Sequence, residues 1–446
     1  MPVPIATQVI YDGIGSIPYA WTAIKLLPWL LLLAALKRYF GGNVNTSERK
    51  MHAKVVLLTG GTSGIGAQVA RELALRGAHL VLLTQHELTD PFLVDYIDDL
   101  REQTNNSLIT AEHVDLSSLH SIRKFATKWV DNAPPRRLDM IILCANTCTP
   151  KGCQVRITRD GLEESWGVNY LANFHLLSIL SPALRAQPPD RDIRVIFSTC
   201  SNYMGGQLPD FTRDALGDKM VGKGKSKKGQ PKEVVAFKAT SADATSKLAL
   251  MTFASAFQKH LSSYKRPDQF PMTARVFVVD PGFTRTPGTR RYLTFGSLWG
   301  LALYLIMWPV WWLILKSPQQ GAQTYLWASM DDRLGRESGG KFLKECREIK
   351  FQRGEIENEQ MQKGLWEASE KTIEELEKRG ALERAHHKKQ GEEDEKAKKQ
   401  QAELEALEEL VRKAKAAKDL EKEKEKNEEG SKGKTSKPRK GKKSNT

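Results

Sequence analysis

The sequence predicts an α/β fold: a doubly wound parallel sheet covered by helices on both faces. Three observations lead to this prediction. Short apolar runs of strand length alternate with helical patterns from Lys54 onward. The first run enters a glycine-rich turn and then a helix, as in a strand–helix–strand unit. The 446 residues also suffice for one domain of about 280 residues with appendages. Because parallel strands end at a common edge, we expect a ligand crevice at their carboxyl ends.

The glycine-rich turn lies in the stretch KVVLLTGGTSGIG, residues 54–66. Val55 to Leu58 is the predicted strand, and Ala67 to Arg76 is the predicted helix. The turn contains four glycines, Gly60, Gly61, Gly64 and Gly66. Glycine lets the backbone approach a pyrophosphate, whose charge is met by unpaired N–H groups at the helix start. The stretch therefore predicts a phosphate-binding turn, and an ordinary strand-to-helix loop is the alternative.

The pattern TGxxxGIG resembles the short-chain dehydrogenase/reductase family, and similar motifs follow in the family's order. They are Asp115-Leu116, Asp160-Gly161, Gly167-Val168-Asn169, the strand Arg194 to Phe197, Ser246-Lys247-Leu248-Ala249 and the loop Asp280 to Thr286. Lys316-Ser317-Pro318 with Gly321 to Thr324 is similar to retinol-dehydrogenase-like members. The resemblance covers about Lys54 to Met330 and implies a Rossmann-type fold. With its charged C-terminal extension, the chain resembles a divergent, fungal-type member.

The resemblance implies a nicotinamide cofactor. The implied cofactor-binding residues are Gly60, Thr62, Ser63, Gly64, Ile65, Gly66, Gln85, Asp115, Ala145, Lys247, Pro281, Gly282, Thr284 and Thr286. The predicted strand Leu80 to Leu83 ends in Thr84-Gln85-His86, without the acid that binds the ribose of NAD and without an arginine for the 2′-phosphate of NADP. We expect NADP because nothing at this strand end repels the phosphate, and NAD is the alternative.

The family's reaction needs a proton-donating tyrosine, a lysine four residues later, a serine that orients the carbonyl and an asparagine that supports a water relay. Asn169 and Lys247 match this pattern. Asp243 stands at the tyrosine position, and Cys200 stands at the serine position, with Ser201 offered by a one-residue shift. An aspartate with its usual pKa near 3.9 accepts protons at neutral pH. We therefore expect an ion pair between Asp243 and Lys247 and an altered proton path.

Two functions from different classes follow. The first is an NAD(P)-dependent oxidoreductase that acts on a lipophilic carbonyl or alcohol of the sterol, retinoid or fatty-acyl class. The second is a nucleotide-binding scaffold or pseudoenzyme, favoured by the loss of the tyrosine. General acid catalysis contributes about 10²–10⁴ in rate, so slow hydride transfer can persist without it. Tyr203, just beyond the strand Arg194 to Phe197, is an alternative donor. We expect the oxidoreductase.

The formal net charge is +15, which favours anionic partners. Basic residues concentrate in residues 219–232 and 431–446, a predicted solvated loop and tail for which anionic lipid is the alternative reading. No nucleic-acid partner is expected. Cys144, Cys148 and Cys153 lie close together without a nearby histidine or fourth cysteine, so no metal site is predicted. Five unpaired cysteines fit a reduced, cytosol-facing setting.

The first apolar stretch, Ile14 to Leu36, is interrupted by Lys25 and Pro28 and closed by Lys37-Arg38. It is long enough to cross a bilayer, and its lysine and proline also suit a helix that lies in the interface. No small-residue cleavage site follows, which predicts an uncleaved membrane anchor. The positive flank places the catalytic domain in the cytosol. We expect an endoplasmic-reticulum or lipid-droplet surface.

The second apolar segment, Tyr292 to Leu315, contains no charged residue and includes four tryptophans. Residues 313–329 resemble the family's return into the core domain, which implies that both ends of the segment lie on one side, and the segment is too short to cross ~30 Å of hydrocarbon twice. We expect it to lie in the membrane interface with a bend at Pro309, and a buried core helix is the alternative. It occupies the place of the family's substrate lid. An apolar lid implies a lipophilic substrate that enters from the bilayer.

The composition changes beyond Gly364, and Glu, Lys and Ala dominate from Glu367 to Glu429. Opposite charges four residues apart predict one solvent-exposed helix. A coiled coil that binds a protein partner is the alternative. The predicted organisation is an anchor at residues 1–50, the catalytic domain at 51–345 with the membrane-seated segment 292–315, a charged helical extension at 346–429 and a disordered basic tail at 430–446.

Overall fold

The structure, a computed structural model, describes residues 19–150, 153–209 and 239–432. The basic loop at residues 219–232 and the tail from residue 433 lie outside the described residues, as do the first 18 residues. One sheet of eight strands organises the described part. The strands are β1 Val55–Thr59, β2 His79–Thr84, β3 Ile109–His113, β4 Met140–Leu143, β5 Ile193–Ser198, β6 Ala274–Asp280, β7 Lys341–Lys344 and β8 Arg347–Ile349.

The strands lie in the order β3-β2-β1-β4-β5-β6-β7-β8. Strands β1 to β7 run parallel, and β8 pairs antiparallel with β7. Strands β2 and β3 extend the sheet to one side of β1, and β4 onward extends it to the other. The switch point between β1 and β4 is where a doubly wound sheet opens a crevice at the carboxyl ends of its strands. The predicted α/β fold with a Rossmann-type parallel sheet is confirmed.

Helices connect and flank the strands. They are α1 Ala20–Gly41, α2 Gly64–Leu75, α3 Pro91–Thr104, α4 Leu119–Val130, α5 Ala172–Arg185, α6 Ala239–Ser262, α7 Pro287–Leu293, α8 Leu298–Ile306, α9 Trp308–Ile314, α10 Pro318–Met330 and α11 Glu359–Lys432. A π-helical turn, Trp166–Leu171, leads into α5, and a 3₁₀ turn, Ser201–Gly205, follows β5.

Two hydrophobic layers, one on each face of the sheet, follow from the period of two along each strand. Leu57 packs in the layer under α4, α5 and α6. Its neighbours Val56 and Leu58 pack in the other layer, under α2, α3 and α10. Because both faces are covered, the strands are apolar throughout, which is why they could be recognised as buried runs.

The compact unit that contains the sheet extends through Glu377, beyond the boundary predicted at residue 345. Strand β8 completes the sheet, and the start of α11 buries Leu365, Ile373 and Leu376 in the core. These apolar residues are spaced among charged ones, so composition alone concealed them. The second unit, Lys378–Thr446, contains the rest of α11. There, pairs such as Lys399 with Glu395, at 2.9 Å, follow the expected spacing of four.

Residues 42–49 hold α1 against the sheet domain. Their contacts are Asn43 with Glu345, Asn45 with Gln323, Ser47 with Asp331 and Arg49 with Asp192. Glu345 follows the carboxyl end of β7, whereas Asp192 precedes the amino end of β5. The segment therefore runs alongside α10, from the carboxyl ends of the strands to their amino ends. Helix α1 is thus held at the carboxyl edge, beside the expected crevice.

Helices α1, α8 and α9 expose their apolar side chains. Leu298 and Trp299 are 85% and 87% exposed, and Trp29 in α1 is 70% exposed. This exposure rules out a buried core helix at residues 292–315. Pro309 occupies the first turn of α9, at the predicted bend, where its missing N–H costs no hydrogen bond. Within the ranges that the structure describes, no helix has the length and apolar character needed to span a bilayer.

Arg194, at the amino end of β5, joins that strand to the carboxyl end of α10. Its side chain is fully buried, and it donates to the carboxylate of Asp192 at 2.7 Å and to the carbonyl oxygens of Ala328 and Asp331 at 2.8 Å each. Burial alone would raise the pKa of Asp192, but the hydrogen bonds and charges of Arg194 and Arg49 lower it to about 2. The Asp192 carboxylate thus compensates a buried guanidinium.

Replacing Asp192 with asparagine is expected to lower the free energy of unfolding by roughly 3 kcal/mol at pH 7, because the buried charge of Arg194 loses its partner. The folded-state pKa lies below the unfolded value, so this stabilisation is fully present above pH ~4 and is lost as the pH falls toward 2. Urea unfolding at both ends of that range measures it. Asp332→Asn, the same change at an exposed neighbour, is the control. Equal stability of the two variants at pH 7 would contradict the assignment.

Candidate active site

The glycine-rich turn lies between the end of β1 and the start of α2. Gly60 and Gly64 have φ values of +67° and +59°, which favour glycine. A Cβ on Gly60 would lie 2.8 Å from the Cα of Ala145, beyond β4. A Cβ on Gly64 would lie 3.4 Å from Cγ2 of Thr286, beyond β6. The turn therefore packs on the segment after β4 and faces the loop after β6, so the implied phosphate-binding residues lie together.

The rest of the turn presents the start of α2. Ser63 is the N-cap residue, and its side chain makes no capping hydrogen bond. The first N–H groups of the helix have no intrahelical acceptor, which leaves them available to an anion. A Cβ on Gly66 would lie 2.1 Å from the carbonyl oxygen of Gly60, so helix and turn are in direct contact. Thr62 and Ile65 are half-buried beside them. A pyrophosphate fits this cradle.

The loop after β6 forms the opposite wall. The N–H of Gly282, next to Pro281, donates to Oδ1 of Asp280 at 2.9 Å. Thr284 is buried, and its hydroxyl donates to the carbonyl of Gly282 at 3.2 Å. Thr286 accepts from the N–H of Thr289 at 3.2 Å and caps α7. These bonds fix the loop facing the glycine turn.

The adenosine end of the crevice is expected where β2 and β3 end side by side. Gln85 is exposed just beyond β2. Asp115, just beyond β3, is buried, and its carboxylate accepts from the N–H of Ser117 at 2.8 Å and lies 3.4 Å from Nε of Arg159. The structure thus brings Gln85 and Asp115 to the same edge, as the resemblance implies.

Lys247 projects from α6 into the interior and is 1% exposed. Its Nζ donates to the carbonyl oxygen of Ser198, at the end of β5, at 3.1 Å. An ammonium group has three donors, so two remain for other acceptors. This arrangement fits the ribose hydroxyls of a nicotinamide nucleotide. The role implied for Lys247 is therefore compatible with its surroundings.

Asp243 does not pair with Lys247, so the predicted ion pair is wrong for the part of the chain that the structure describes. Its Oδ2 accepts from the side-chain amide of Asn202 at 3.0 Å, and Lys247 is turned toward the end of β5. Asp243 is 7% exposed, and its Oδ1 is buried without a hydrogen-bond partner. Buried polar atoms are rarely left unpaired. One carboxylate oxygen is therefore available to a ligand hydroxyl.

Two thiols lie near this carboxylate. Burial, followed by the negative charge of Asp243, raises the pKa of Cys200 to about 11. Burial and the same carboxylate raise the pKa of Cys148 to about 12, with Lys247 opposing the shift in both. Both thiols are therefore protonated at neutral pH. Cys200 can act as a weak donor where the family has a serine, but it is not a nucleophile.

Asn169 lies in the π-helical turn before α5. Its side-chain amide donates to the carbonyl of Thr147 at 2.8 Å and to the hydroxyl of Ser246 at 3.3 Å, and its Oδ1 accepts from the N–H of Thr147 at 2.8 Å. The Ser246 hydroxyl donates to the carbonyl of Asp243 at 2.8 Å. A π-helical turn often marks a functional position. Here Asn169 ties the segment after β4 to the helix that carries Asp243 and Lys247.

Ser201 and Tyr203 are engaged elsewhere. The Ser201 hydroxyl donates to Asp280 at 2.8 Å and accepts from Lys344 at 2.9 Å. Tyr203 is buried, and its ring packs edge-on against Phe342. Neither hydroxyl is oriented by Lys247. Cys200 therefore occupies the place beside Asp243, and Tyr203 has the structural role of a core residue.

Sequence reasoning missed Asn202 and Cys148, which complete the surroundings of Asp243. Asn202 lies in the 3₁₀ turn after β5, and Cys148 lies beyond β4. Both follow strands that end at the crevice, and this position was the available signal. Nothing in the sequence indicated the hydrogen bond from the Tyr325 hydroxyl, on α10, to the hydroxyl of Ser198 at 2.5 Å. This bond holds the end of β5 from the other face of the sheet.

Comparisons with known proteins agree with this geometry. The family model described as short chain dehydrogenase matches residues 54–206. The Schizosaccharomyces pombe protein named uncharacterized oxidoreductase pbr1 is 38% identical over 379 residues, which cover 85% of this chain and 97% of the relative. Human retinol dehydrogenase 13 is 29% identical over 340 residues, 76% of this chain and 90% of the relative. Human polyprenol dehydrogenase is 28% identical over 342 residues, which cover 76% of this chain and 91% of the relative.

Among solved structures, a crystal structure of a Mycobacterium paratuberculosis protein superposes with a TM-score of 0.51 at 20% identity. The match covers 75% of this chain and 98% of the other. At this identity the likeness concerns the fold, and it agrees with the sheet described above.

Proposed function

Because the chain belongs to the short-chain dehydrogenase/reductase family of NAD(P)-dependent oxidoreductases, we propose that it is a membrane-associated enzyme that oxidises a lipophilic alcohol, with Asp243 as the proton acceptor. The observation that carries this proposal is the unpartnered, buried Oδ1 of Asp243 at the position of the family's tyrosine. A carboxylate accepts a proton where a tyrosine would donate one. This difference favours the alcohol as the substrate.

The proposed proton transfer uses this chain's own residues. The substrate hydroxyl donates to Oδ1 of Asp243, and its O–H bond breaks as the carbonyl forms. The bound nicotinamide supplies the acceptor for the hydride of the carbinol carbon. Asn202 holds Oδ2 of Asp243, which orients the carboxylate, and the thiol of Cys200 contributes a weak hydrogen bond to the same oxygen of the substrate.

NADP is the proposed cofactor, with NAD as the alternative. Gly60, Gly64 and Thr286 bracket the pyrophosphate position, and Lys247 has donors for the ribose. Gln85, exposed after β2, presents no charge that would repel a 2′-phosphate. An arginine that would select the phosphate is missing from the same strand end, so the preference is expected to be modest.

The membrane part of the proposal depends on the apolar surface of α1, α8 and α9. Trp29, Leu298 and Trp299 expose large side chains at this surface. Exposed apolar area of this extent is typical of interaction surfaces, and tryptophans are enriched at membrane interfaces. Residues 42–49 hold α1 beside the crevice, so a helix lying in the interface would bring the crevice to the bilayer. We place the enzyme on a cytosol-facing surface, endoplasmic reticulum or lipid droplet.

The substrate class follows from the same surface. An alcohol delivered from a bilayer is lipophilic, such as a sterol, a retinoid, a fatty alcohol or a polyprenol. Two relatives carry the names retinol dehydrogenase and polyprenol dehydrogenase, which supports this class. The charged helix beyond residue 377 is proposed to contact a protein partner, because its side chains are exposed throughout the described range.

Purified full-length protein in detergent, supplied with NADP⁺ or NAD⁺ and a panel of retinol, polyprenol, sterol and long-chain alcohols, tests the function. We expect formation of reduced cofactor with at least one lipophilic alcohol and slower reduction of the matching carbonyl at neutral pH. Asp243→Tyr is the companion variant, and it is expected to favour carbonyl reduction. Cofactor binding without turnover in either direction would overturn the proposal and support the nucleotide-binding scaffold.

A further inference from the structure

Two cations stack on two tryptophans where α1 meets α9. Nζ of Lys37 lies 4.7 Å from the ring centroid of Trp312 and also donates to the carbonyl oxygen of Trp312. Cζ of Arg285 lies 4.6 Å from the ring centroid of Trp308. We call Lys37, Arg285, Trp308 and Trp312 the cation–tryptophan cluster. Such stacking holds each cation in place without neutralising its charge.

The cluster lies at the rim of the apolar surface. Arg285 belongs to the loop after β6, and its N–H donates to the carbonyl of Lys316, where the chain returns from α9. Trp308 and Trp312 are 43% and 40% exposed. The surrounding side chains of α1 and α9 are apolar and exposed. In a bilayer this rim is the level of the lipid headgroups, where tryptophan and cationic side chains are favoured.

One donor of the cluster lacks an acceptor: Nη1 of Arg285 is buried without a hydrogen-bond partner. Nε1 of Trp311, next to Trp312 on the same helix, is also buried without a partner. Both atoms can only donate. Leaving a buried donor unpaired costs free energy. A ligand that carries acceptor oxygens would satisfy these donors.

No acid balances the charge of the cluster. Among the residues that the structure describes, neither Lys37 nor Arg285 has a carboxylate within 4 Å. Burial and then the positive charge of Arg285 lower the pKa of Lys37, which indicates that the two cations repel each other. An anion between or beside them would relieve this repulsion.

We propose that the cation–tryptophan cluster binds the phosphate group of an anionic phospholipid. The guanidinium of Arg285 offers paired N–H donors that match phosphate oxygens, and Lys37 adds a second charge. The site rests on the proposed membrane association, and it names the lipid class that this association prefers. Since Arg285 directly follows Thr284 of the crevice wall, the bound headgroup would orient the crevice toward the bilayer.

The test measures flotation of the full-length protein with vesicles of phosphatidylcholine alone or of phosphatidylcholine with phosphatidylserine. The double variant K37Q/R285Q is compared with K265Q/R336Q, which removes the same two charge types from exposed positions at the opposite edge of the sheet. At about 1 kcal/mol per cation near an anionic surface, the first variant is expected to lose about 30-fold in its preference for phosphatidylserine. The control is expected to keep that preference.

Equal losses in the two double variants would mean diffuse electrostatic attraction and would overturn the headgroup site, while membrane association would stand. Absence of binding to both vesicle types by the natural chain would instead overturn the proposed membrane association itself. If K37Q/R285Q does not fold, Lys37→Gln alone, on an exposed helix, is expected to reduce the preference about fivefold, and an unchanged preference would equally overturn the site.

Discussion

Replacing Gly64 with valine is expected to weaken binding of NADPH at least ~100-fold, an effect of about 3 kcal/mol or more. Gly64 has φ +59°, which a β-branched residue adopts only under strain. The added side chain would also enter the gap between the glycine turn and Thr286, since even its Cβ lies 3.4 Å from Cγ2 of that residue. Strain and occlusion both weaken binding, because the pyrophosphate binds to the backbone N–H groups of the turn and of the helix start. Quenching of protein fluorescence on titration with NADPH measures the affinity.

Gly391→Val is the matched control for that experiment. Gly391 lies on the charged helix, and a Cβ there would meet no atom within 4 Å. Its change is expected to leave the affinity for NADPH unaltered. Thermal unfolding of both variants separates loss of the site from loss of the fold. If Gly64→Val stays folded and binds NADPH as tightly as the natural chain, the whole assignment of the cofactor site fails.

Much of the sheet could be predicted because its strands are buried on both faces. Leu80 to Leu83 and Val55 to Leu58 are continuous apolar runs, and the structure extends each by one or two residues. Strand β8 could not be found in this way. Its sequence, Arg347–Ile349, is short and charged because it lies at the sheet edge and is exposed along one side.

The part of the site that the backbone forms could be predicted from the sequence. The hydrogen-bond partners of its buried side chains could be predicted less well. The glycine turn follows from the conformational freedom of glycine, and it lies where the sequence places it. The predicted pair of Asp243 and Lys247 assumed that neighbours on a helix face interact. Burial changed the outcome, because Lys247 reached the carbonyl at the end of β5 and Asn202 reached Asp243. Sequence spacing does not indicate which of two nearby partners a buried group takes.

The π-helical turn illustrates a second limit. An extra residue in one helical turn shifts the following side chains without altering composition, so the pattern around Asn169 resembles an ordinary helix start. That shift brings Asn169 against Thr147 and Ser246. Its effect on the site is therefore visible only in three dimensions.

Replacing Asp243 with asparagine is expected to lower kcat for alcohol oxidation by about 10²–10⁴-fold, the range of one general acid–base group. Asparagine keeps the shape of the side chain and an oxygen that can accept from Asn202, but it cannot take a proton. NADPH affinity is expected to stay unchanged, because Asp243 makes no contact with the glycine turn. Single-turnover rates and fluorescence titration measure the two quantities separately.

Restoring the carboxylate distinguishes a proton acceptor from a structural residue. Asp243→Glu restores a carboxylate at a longer reach and is expected to recover part of the rate that Asp243→Asn loses. Asp332→Asn, at an exposed turn, is expected to leave the rate unchanged. If Asp243→Asn keeps the rate of the natural chain, another group accepts the proton, and the loss of the family's tyrosine has been compensated elsewhere.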